Sequence, residues 1–319
     1  MSYPCISSRE LSRYGKVETC AERLRALMRQ QCDHWSVCAR GFGALGGVKR
    51  RELEVCGDRV IVQWNPGRIR SAAADLDPAA VAARPCFLCA ANLPAEQRAL
   101  DLGAGWVALC NPFPIFDEHF TIAAQEHRPQ DLRGAAAELL ELAREVGGTW
   151  AVIFNGAKAG ASAPDHMHFQ ACPAPELPLL SAVGDRKRAE DSWQGWSAAR
   201  FFGVDYLILE SEDRDAAAAG IEAFVAACAA AIGDAGLMNL IVHYRAGAWR
   251  AVAVPRRTHR PRCYYEADPA RLLISPAAVE LAGVVVLPRR EDFERIDGSA
   301  LAAVFSEVAL DYRCLGLPV

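Results

Sequence analysis

The segment "RPCFLCAANLP" places Cys86 and Cys89 in a short loop bracketed by prolines. That spacing lets two thiolates grip one tetrahedral metal ion from a tight turn. A redox Cys-x-x-Cys belongs between a strand and a helix of a βαβ unit, a setting the flanking prolines do not offer. The chain has no second Cys-x-x-Cys, so closing the coordination shell requires histidines from distant sequence. The candidates are His119, His127, His166 and His168. His119 and His127 flank the strand-like run "HFTIAA" and would stand roughly 26 Å apart if extended, so one ion cannot take both. The fold must carry one of them, with the later histidines, back to the cysteine loop.

The later histidines sit in "NGAKAGASAPDHMHFQ", residues 155–170. Strand alternation puts His166, His168 and Gln170 on one face. The small residues before them expose backbone N–H groups, together with the amide of Asn155, the hydroxyl of Ser162 and the ammonium of Lys158. Such a loop suits a phosphate. Lys158 stands out because the only other lysines are Lys16, Lys49 and Lys187 in a chain with 35 basic residues. A lysine on a solvated loop reads the same way, and that reading competes with it. The isolated His34, His243 and His259 read as satisfied core or surface histidines. Cys5, Cys20, Cys32, Cys38, Cys56, Cys110, Cys172, Cys228, Cys263 and Cys314 read as free, largely buried thiols.

The 319 residues are long for one domain, and 52% hydrophobic with 23% charged residues is the composition of a globular chain. A net charge of −4 leaves no whole-chain footprint for nucleic acid or an anionic membrane. No uncharged run of 18 apolar residues exists and the N-terminal "MSYPCISSRELSRYG" lacks a leader's apolar core. Neither a membrane nor a nucleic-acid partner is expected, and the expected compartment is the cytoplasm. Periodicity predicts a helix over 18–33, a hairpin over 50–71 turning at "GD", and strands "WVALC" and "HFTIAA" joined by a proline-rich loop. A helix in "DLRGAAAELLELAREVG" and a buried strand "TWAVIFNG" follow. Residues 173–200 read as a linker. Beyond them come a strand "FFGVDYLILES", a helix "DAAAAGIEAFVAACAAAIG", a hairpin turning at "AG" in "MNLIVHYRAGAWRAVAVPRR", and a last strand running into a polar turn. The grammar repeats across the linker, which predicts two related α+β units, residues 1–180 and 181–319.

These segments, in this order, resemble the histidine triad superfamily, and His-x-His-x-Gln resembles its transferase branch. That branch holds galactose-1-phosphate uridylyltransferase, diadenosine tetraphosphate phosphorylase and GDP-hexose phosphorylase; the chain looks closest to an uncharacterised bacterial family related to them. The resemblance implies an α+β fold of two fused units, each an antiparallel sheet with packed helices. It implies structural zinc on Cys86, Cys89, His127 and His166, and a nucleophilic His168 that carries a nucleotidyl group as a phosphoramidate. Gln170 replaces the third histidine of the hydrolase branch, and His119 becomes an active-site support. Asn155, Gly160 and Ser162 are implied at the phosphates, with one residue more between Ser162 and His166 than is usual. Arg68 and Arg70 in "QWNPGRIRS" resemble a nucleotide-contacting segment, although "NPG" is also a plain turn signal. Asn111 and Phe113 in "CNPFPIFDEH" resemble a loop over the base. In "VPRRTHRP", the cluster of Arg256, Arg257, His259 and Arg260 after a strand is expected to reach a phosphate or sugar from the second unit, with a solvated hairpin end as the competing reading.

The activity so implied is that of an enzyme: a phosphorylase-type nucleotidyltransferase acting on a nucleotide sugar or dinucleoside polyphosphate, with phosphate or a sugar 1-phosphate as acceptor. A nucleotide hydrolase would use the same nucleophile, and a zinc-stabilised nucleotide-binding module would need no chemistry at all. Relatives are often dimers, so a homodimer is among the expected assemblies.

Overall fold

The computed structural model describes residues 2–69, 73, 78–186 and 192–317. Helices α1 (Cys20–His34) and α2 (Ser36–Ala44) precede a hairpin of β1 (Lys49–Val55) and β2 (Asp58–Trp64). Then come β3 (Ala99–Gly103), β4 (Trp106–Cys110), β5 (Phe120–Ala124), α3 (Ala136–Val146), β6 (Trp150–Asn155) and β7 (His168–Pro173). The second half runs β8 (Trp196–Phe201), β9 (Val204–Ser211), α4 (Arg214–Ile232), β10 (Met238–Arg245), β11 (Ala248–Pro255), β12 (Val284–Leu287) and α5 (Gly298–Val308).

Among the described residues, nine strands form one antiparallel sheet in the order β3-β4-β5-β7-β6-β10-β11-β9-β8. Outward from the central β6–β10 pair, β7, β5 and β4 on one side correspond to β11, β9 and β8 on the other, each half running outer strands, helix, inner hairpin in the chain; β3 is an extra strand at the outer edge of the first half. Asn239 lies opposite Asn155 and His243 opposite Ala151 at this seam. The expected two antiparallel units with packed helices are therefore present, and their sheets are continuous. A second sheet, β1-β2-β12, draws on both halves of the chain, with β12 parallel to β2 from Val284↔Ile61 to Leu287↔Trp64.

Strand alternation assigns the two faces of the large sheet. On one, Leu24 and Leu27 of α1, Leu139, Leu140 and Val146 of α3, and Ile221, Phe224 and Val225 of α4 bury against Phe120, Phe154, Phe169, Leu207 and Leu240. On the other, Ile153, Cys172, Ile208 and Ile241 pack against Val60 and Val62 of β2, all of β12, and Leu301 and Phe305 of α5. Asn155 shares the parity of Ile153, and His168 and Gln170 that of Cys172. All three therefore face the second sheet, away from the helices.

Local chemistry accounts for the elements. α1 starts on a capping box, Thr19 accepting from Glu22 N–H and the Glu22 carboxylate accepting from Thr19 N–H. α4 starts on Asp213, whose side chain accepts from Asp215 and Ala216 N–H. At 19 residues α4 is long and apolar enough to cross a membrane by length and composition. Here its apolar face lies on the sheet, while its Glu222 accepts from Gly134 and Ala136 N–H.

Four expectations are corrected. The first hairpin turns at Cys56-Gly57, not at Gly-Asp, because Val55 pairs with Asp58 and both turn residues have positive φ, as a two-residue type I′ turn requires. Residues 202–203 make the same turn, so "FFGVDYLILES" is the second half of a hairpin rather than one strand, and β8 occupies the end of the expected linker. After β12 the polar stretch is helical over Arg290–Arg295. The cysteines are all free, but Cys5, Cys56 and Cys314 are exposed rather than buried.

Phe224 is fully buried where α4 meets Trp196 of the outer hairpin. Phe224→Ala should cost about 3–5 kcal/mol of stability, measured as a lower denaturant midpoint with an unchanged slope. A loss below about 1 kcal/mol would mean that α4 does not anchor the second unit.

Candidate active site and metal cluster

Cys86, Cys89, His127 and His166 converge so that their ligand atoms all lie within 4.8 Å of one another. Cys86 Sγ is 3.3 Å and Cys89 Sγ 3.5 Å from His166 Nδ1; His127 Nδ1 is 3.2 Å from both Cys89 Sγ and His166 Nδ1. These are the edge lengths of a tetrahedron around an ion bound at about 2.0–2.3 Å. The protonation pattern agrees. His166 Nε2–H donates to Ala124 O at 2.8 Å, which leaves a lone pair on Nδ1 aimed at the cluster. The cysteine loop is held by Asn92, whose Nδ2 donates to Cys86 O, and by Tyr3, whose hydroxyl donates to Leu88 O. The Cys₂His₂ set could hold a metal ion, and it uses His127, with His119 elsewhere.

His119 stands at the other end of β5, beside Gln170. Ile115 N–H donates to His119 Nδ1 at 3.2 Å, so the proton lies on Nε2 and is donated to Gln170 Oε1 at 2.9 Å. Burial, reinforced by the charge of Arg68, drives the His119 pKa down to about 4, so the ring stays neutral. The relay fixes the Gln170 amide: its oxygen is used and its Nε2 hydrogens remain for the cavity. His168 is buried and donates Nδ1–H to the carbonyl oxygen of His166 at 2.7 Å. Its Nε2 therefore carries the lone pair, and burial holds its pKa at about 4, far below that of a free imidazole.

Both side chains open into a cavity of about 610 Å³ between the large sheet and the segment from 275 to 286. That is the size of a small-molecule site. Arg68, Asn111, Phe113, Asn155, Gly160, Ser162, His168 and Gln170 all line it. Arg68 donates to Phe113 O at 2.7 Å, tying the "NPG" turn to the proline-rich loop. Asn155 Oδ1 accepts from Asn239 Nδ2 at 2.8 Å and from Ala278 N–H at 2.9 Å, which points its own Nδ2 into the cavity. Gly160, at φ 100°, lies so close to Ala277 that an added Cβ would sit 2.5 Å from the alanine's methyl. A side chain there would wedge the cavity wall apart.

Two expected residues are placed differently. Lys158 pairs with Asp234 at 2.5 Å, is 68% exposed, and lies outside the cavity. Arg256 is fully buried behind the wall. Its guanidinium is consumed by Val308 O, Asn239 Oδ1, Pro276 O, Thr258 O and His259 O. It supports Asn239, which supports Asn155, and does not line the cavity. Arg70 lies outside the described residues. From the same "VPRRTHRP" segment it is His259 and Arg260 that reach the cavity, with Ser275 between them at 3.3 and 3.1 Å.

Other residues escaped the sequence reading. Gln130 is buried: its Oε1 accepts from His168 N–H at 2.7 Å, and its Nε2 donates to Asn155 O and His168 O. It staples the end of β6 to the start of β7. Arg84 also lines the cavity; its Nη2 donates to Ser162 O and lies 3.6 Å from Asp165 Oδ1, while its Nη1 is buried without a partner among the described residues. The proximity of "RPCFLC" was the one available signal for Arg84; nothing marked Gln130.

Fold and site define the class: a doubled antiparallel α+β sheet with a Cys₂His₂ cluster beside a buried histidine–glutamine pair. The chain shares its fold with a solved yeast phosphorylase. A family described as a domain of unknown function (DUF4922) matches residues 27–173. The crystal structure of yeast Ap4A phosphorylase Apa2 in complex with Ap4A is similar over 89% of this chain and 97% of that one, with 15% identity and a TM-score of 0.62. The same enzyme without that ligand gives 14% identity and a TM-score of 0.59 over 93% of this chain and 99% of that one. Its complex with AMP gives 15% and 0.57 over 89% and 97%. No curated protein sequence matches.

Gln130→Leu should cost about 3 kcal/mol of stability, because it strands the His168 N–H in the interior. Chemical denaturation measures this; a change under about 0.5 kcal/mol would contradict the clamp.

Proposed function

We propose that this chain is a phosphorylase-type nucleotidyltransferase acting on a nucleotide sugar or dinucleoside polyphosphate through His168. The observation that carries the reading is the fixed tautomer of His168. Its Nδ1 proton is committed to His166 O, so Nε2 faces the cavity as a neutral nucleophile beside the Nε2 donor of Gln170. The yeast phosphorylase of the same fold, crystallised with Ap4A and with AMP, supports the substrate class.

In the first half-reaction His168 Nε2 attacks the α-phosphorus. The N–P bond forms as the P–O bond to the bridging oxygen breaks, and the leaving sugar phosphate or nucleoside polyphosphate takes the electron pair. Gln170 donates to a non-bridging oxygen as charge redistributes, and Asn155 Nδ2 and Arg68 are the further donors lining the cavity. The His168 imidazole, charged in the adduct, keeps its Nδ1 proton on the His166 carbonyl. In the second half-reaction a phosphate oxygen attacks the same phosphorus, the N–P bond breaks and the electron pair returns to Nε2. A neutral amide at Gln170 cannot protonate a poor leaving group, which suits transfer between phosphate acceptors. Zinc is the ion that Cys86, Cys89, His127 and His166 would hold. When bound it supplies structural cross-linking, with no open position for substrate.

With α-³²P-labelled nucleotide substrate, a base-stable, acid-labile protein adduct is expected. His168→Gly should abolish it and cut turnover at least about 1,000-fold while nucleotide still binds. Turnover should follow ping-pong kinetics and depend on added phosphate or sugar 1-phosphate; full-rate hydrolysis without acceptor would overturn the transferase reading.

Metal analysis should find about one equivalent of zinc per chain, and Cys86→Ser should lower metal content and melting temperature together. Metal-free protein with unchanged stability would contradict the structural role.

A further inference from the structure

Part of the cavity lining is apolar, Trp35, Val37, Pro94, Leu109 and Pro112 among it. One buried side chain there has unspent hydrogen-bonding capacity. Gln97 is 6% exposed and lines the cavity. Its side-chain amide has no protein partner among the described residues, yet it is not sealed from solvent as a buried orphan would be. The amide opens onto the cavity itself.

Its backbone is pinned from both sides. Gln31 of α1, fully buried, accepts from Arg98 N–H at 3.0 Å and donates to Glu96 O at 3.2 Å, while its Nε2 also donates to Gln30 Oε1 at 2.8 Å. Gln97 N–H donates to Pro94 O at 3.0 Å. Two buried glutamines on an otherwise apolar helix face thus hold residues 96–98 in one register. That fixes where the Gln97 side chain leaves the backbone, at the cavity wall. An amide so presented, with one donor and one acceptor side by side, matches the edge of a planar heterocycle that carries both.

We propose that Gln97 reads the Watson–Crick edge of the nucleobase, whose faces rest on the apolar lining. This rests on the nucleotidyl reading above. The amide accepts and donates one hydrogen bond each to the ring edge. Adenine and cytosine set donor and acceptor on that edge in one order and guanine and uracil in the other, so an amide held in one orientation pairs with one set and is left desolvated and unsatisfied by the other; that penalty is the source of discrimination. A carboxylate at the same position only accepts. Guanine offers it two adjacent donors, N1–H and N2–H; adenine sets the acceptor N1 beside its N6 donor and opposes it.

The test is calorimetric titration of the full-length protein, wild type, Gln97→Leu and Gln97→Glu, with AMP, GMP, UMP and CMP. The wild type should prefer one base. Gln97→Leu should weaken that nucleotide about 10- to 100-fold and bring the four within a few-fold of each other. Gln97→Glu should raise the GMP-to-AMP affinity ratio about tenfold over wild type. Adduct formation from saturating nucleotide sugar or dinucleoside polyphosphate should stay within about threefold of wild type in both variants, a split that a merely structural role would not give. Wild-type selectivity retained in both variants overturns the assignment of Gln97 while leaving the nucleotidyl reading intact. A wild type that binds no nucleotide and forms no adduct overturns both.

Discussion

The hydrogen bond from His168 Nδ1 to the carbonyl oxygen of His166, 2.7 Å long, joins the two chemical centres of this protein. His166 turns its imidazole to the cysteine cluster and its carbonyl to the next histidine but one. Whatever fixes His166 therefore fixes the tautomer of His168. Three other contacts converge on the same two residues: Ala124 O holds the His166 ring, Gln130 holds the His168 backbone, and β5 pairs Ala123 with His168. A neutral imidazole in a buried site is set by desolvation, but which nitrogen is free is set by this one carbonyl. The second chain of bonds, from Ile115 N–H through His119 to Gln170, sets the adjacent donor in the same manner.

The rest of the molecule serves to give these groups a wall. The first unit supplies both histidines, Gln170, Asn155 and the proline-rich loop. The second supplies no histidine pair of its own; its inner strands hold His243, which bonds to Gly148 O. Its contribution is Asn239, aligned across the seam with Asn155, His259 and Arg260 at the cavity, and the segment from 275 to 286 that closes it. Arg256 is the keystone behind that wall. It is fully buried with its charge spread over five acceptors, and burial still pulls its pKa down to about 10. Removing it would strand those carbonyls rather than a substrate phosphate.

What was legible in the sequence follows from how each residue acts. Cys86 and Cys89 announce themselves by their spacing, whereas the choice of His127 and His166 among four candidate histidines came only with the family resemblance. His168 and Gln170 were legible as a motif on one strand face. Helices α1, α3 and α4 followed from apolar periodicity. Gln130, Gln31 and Asn239 were not legible, since a buried amide that binds backbone groups of another segment has no local signature. Arg256 and Lys158 misled for a related reason: a cation after a strand or in a loop looks the same whether it faces a ligand, an aspartate or buried carbonyls. The turn at Phe202-Gly203 hid inside an aromatic run that reads as strand. Fold class needed only the periodic elements, while the site depended on long-range partners.

The central claim is that His168 presents a neutral, lone-pair-bearing Nε2 to the cavity because its Nδ1 proton is held by His166. A long-range ¹H–¹⁵N correlation spectrum of ¹⁵N-histidine-labelled protein, with His168 assigned by substitution, reads this state directly at neutral pH. The account predicts a protonated, pyrrole-like Nδ1 and an unprotonated, pyridine-like Nε2. A His168 ring protonated at Nε2, or an imidazolium with both nitrogens protonated, would contradict it.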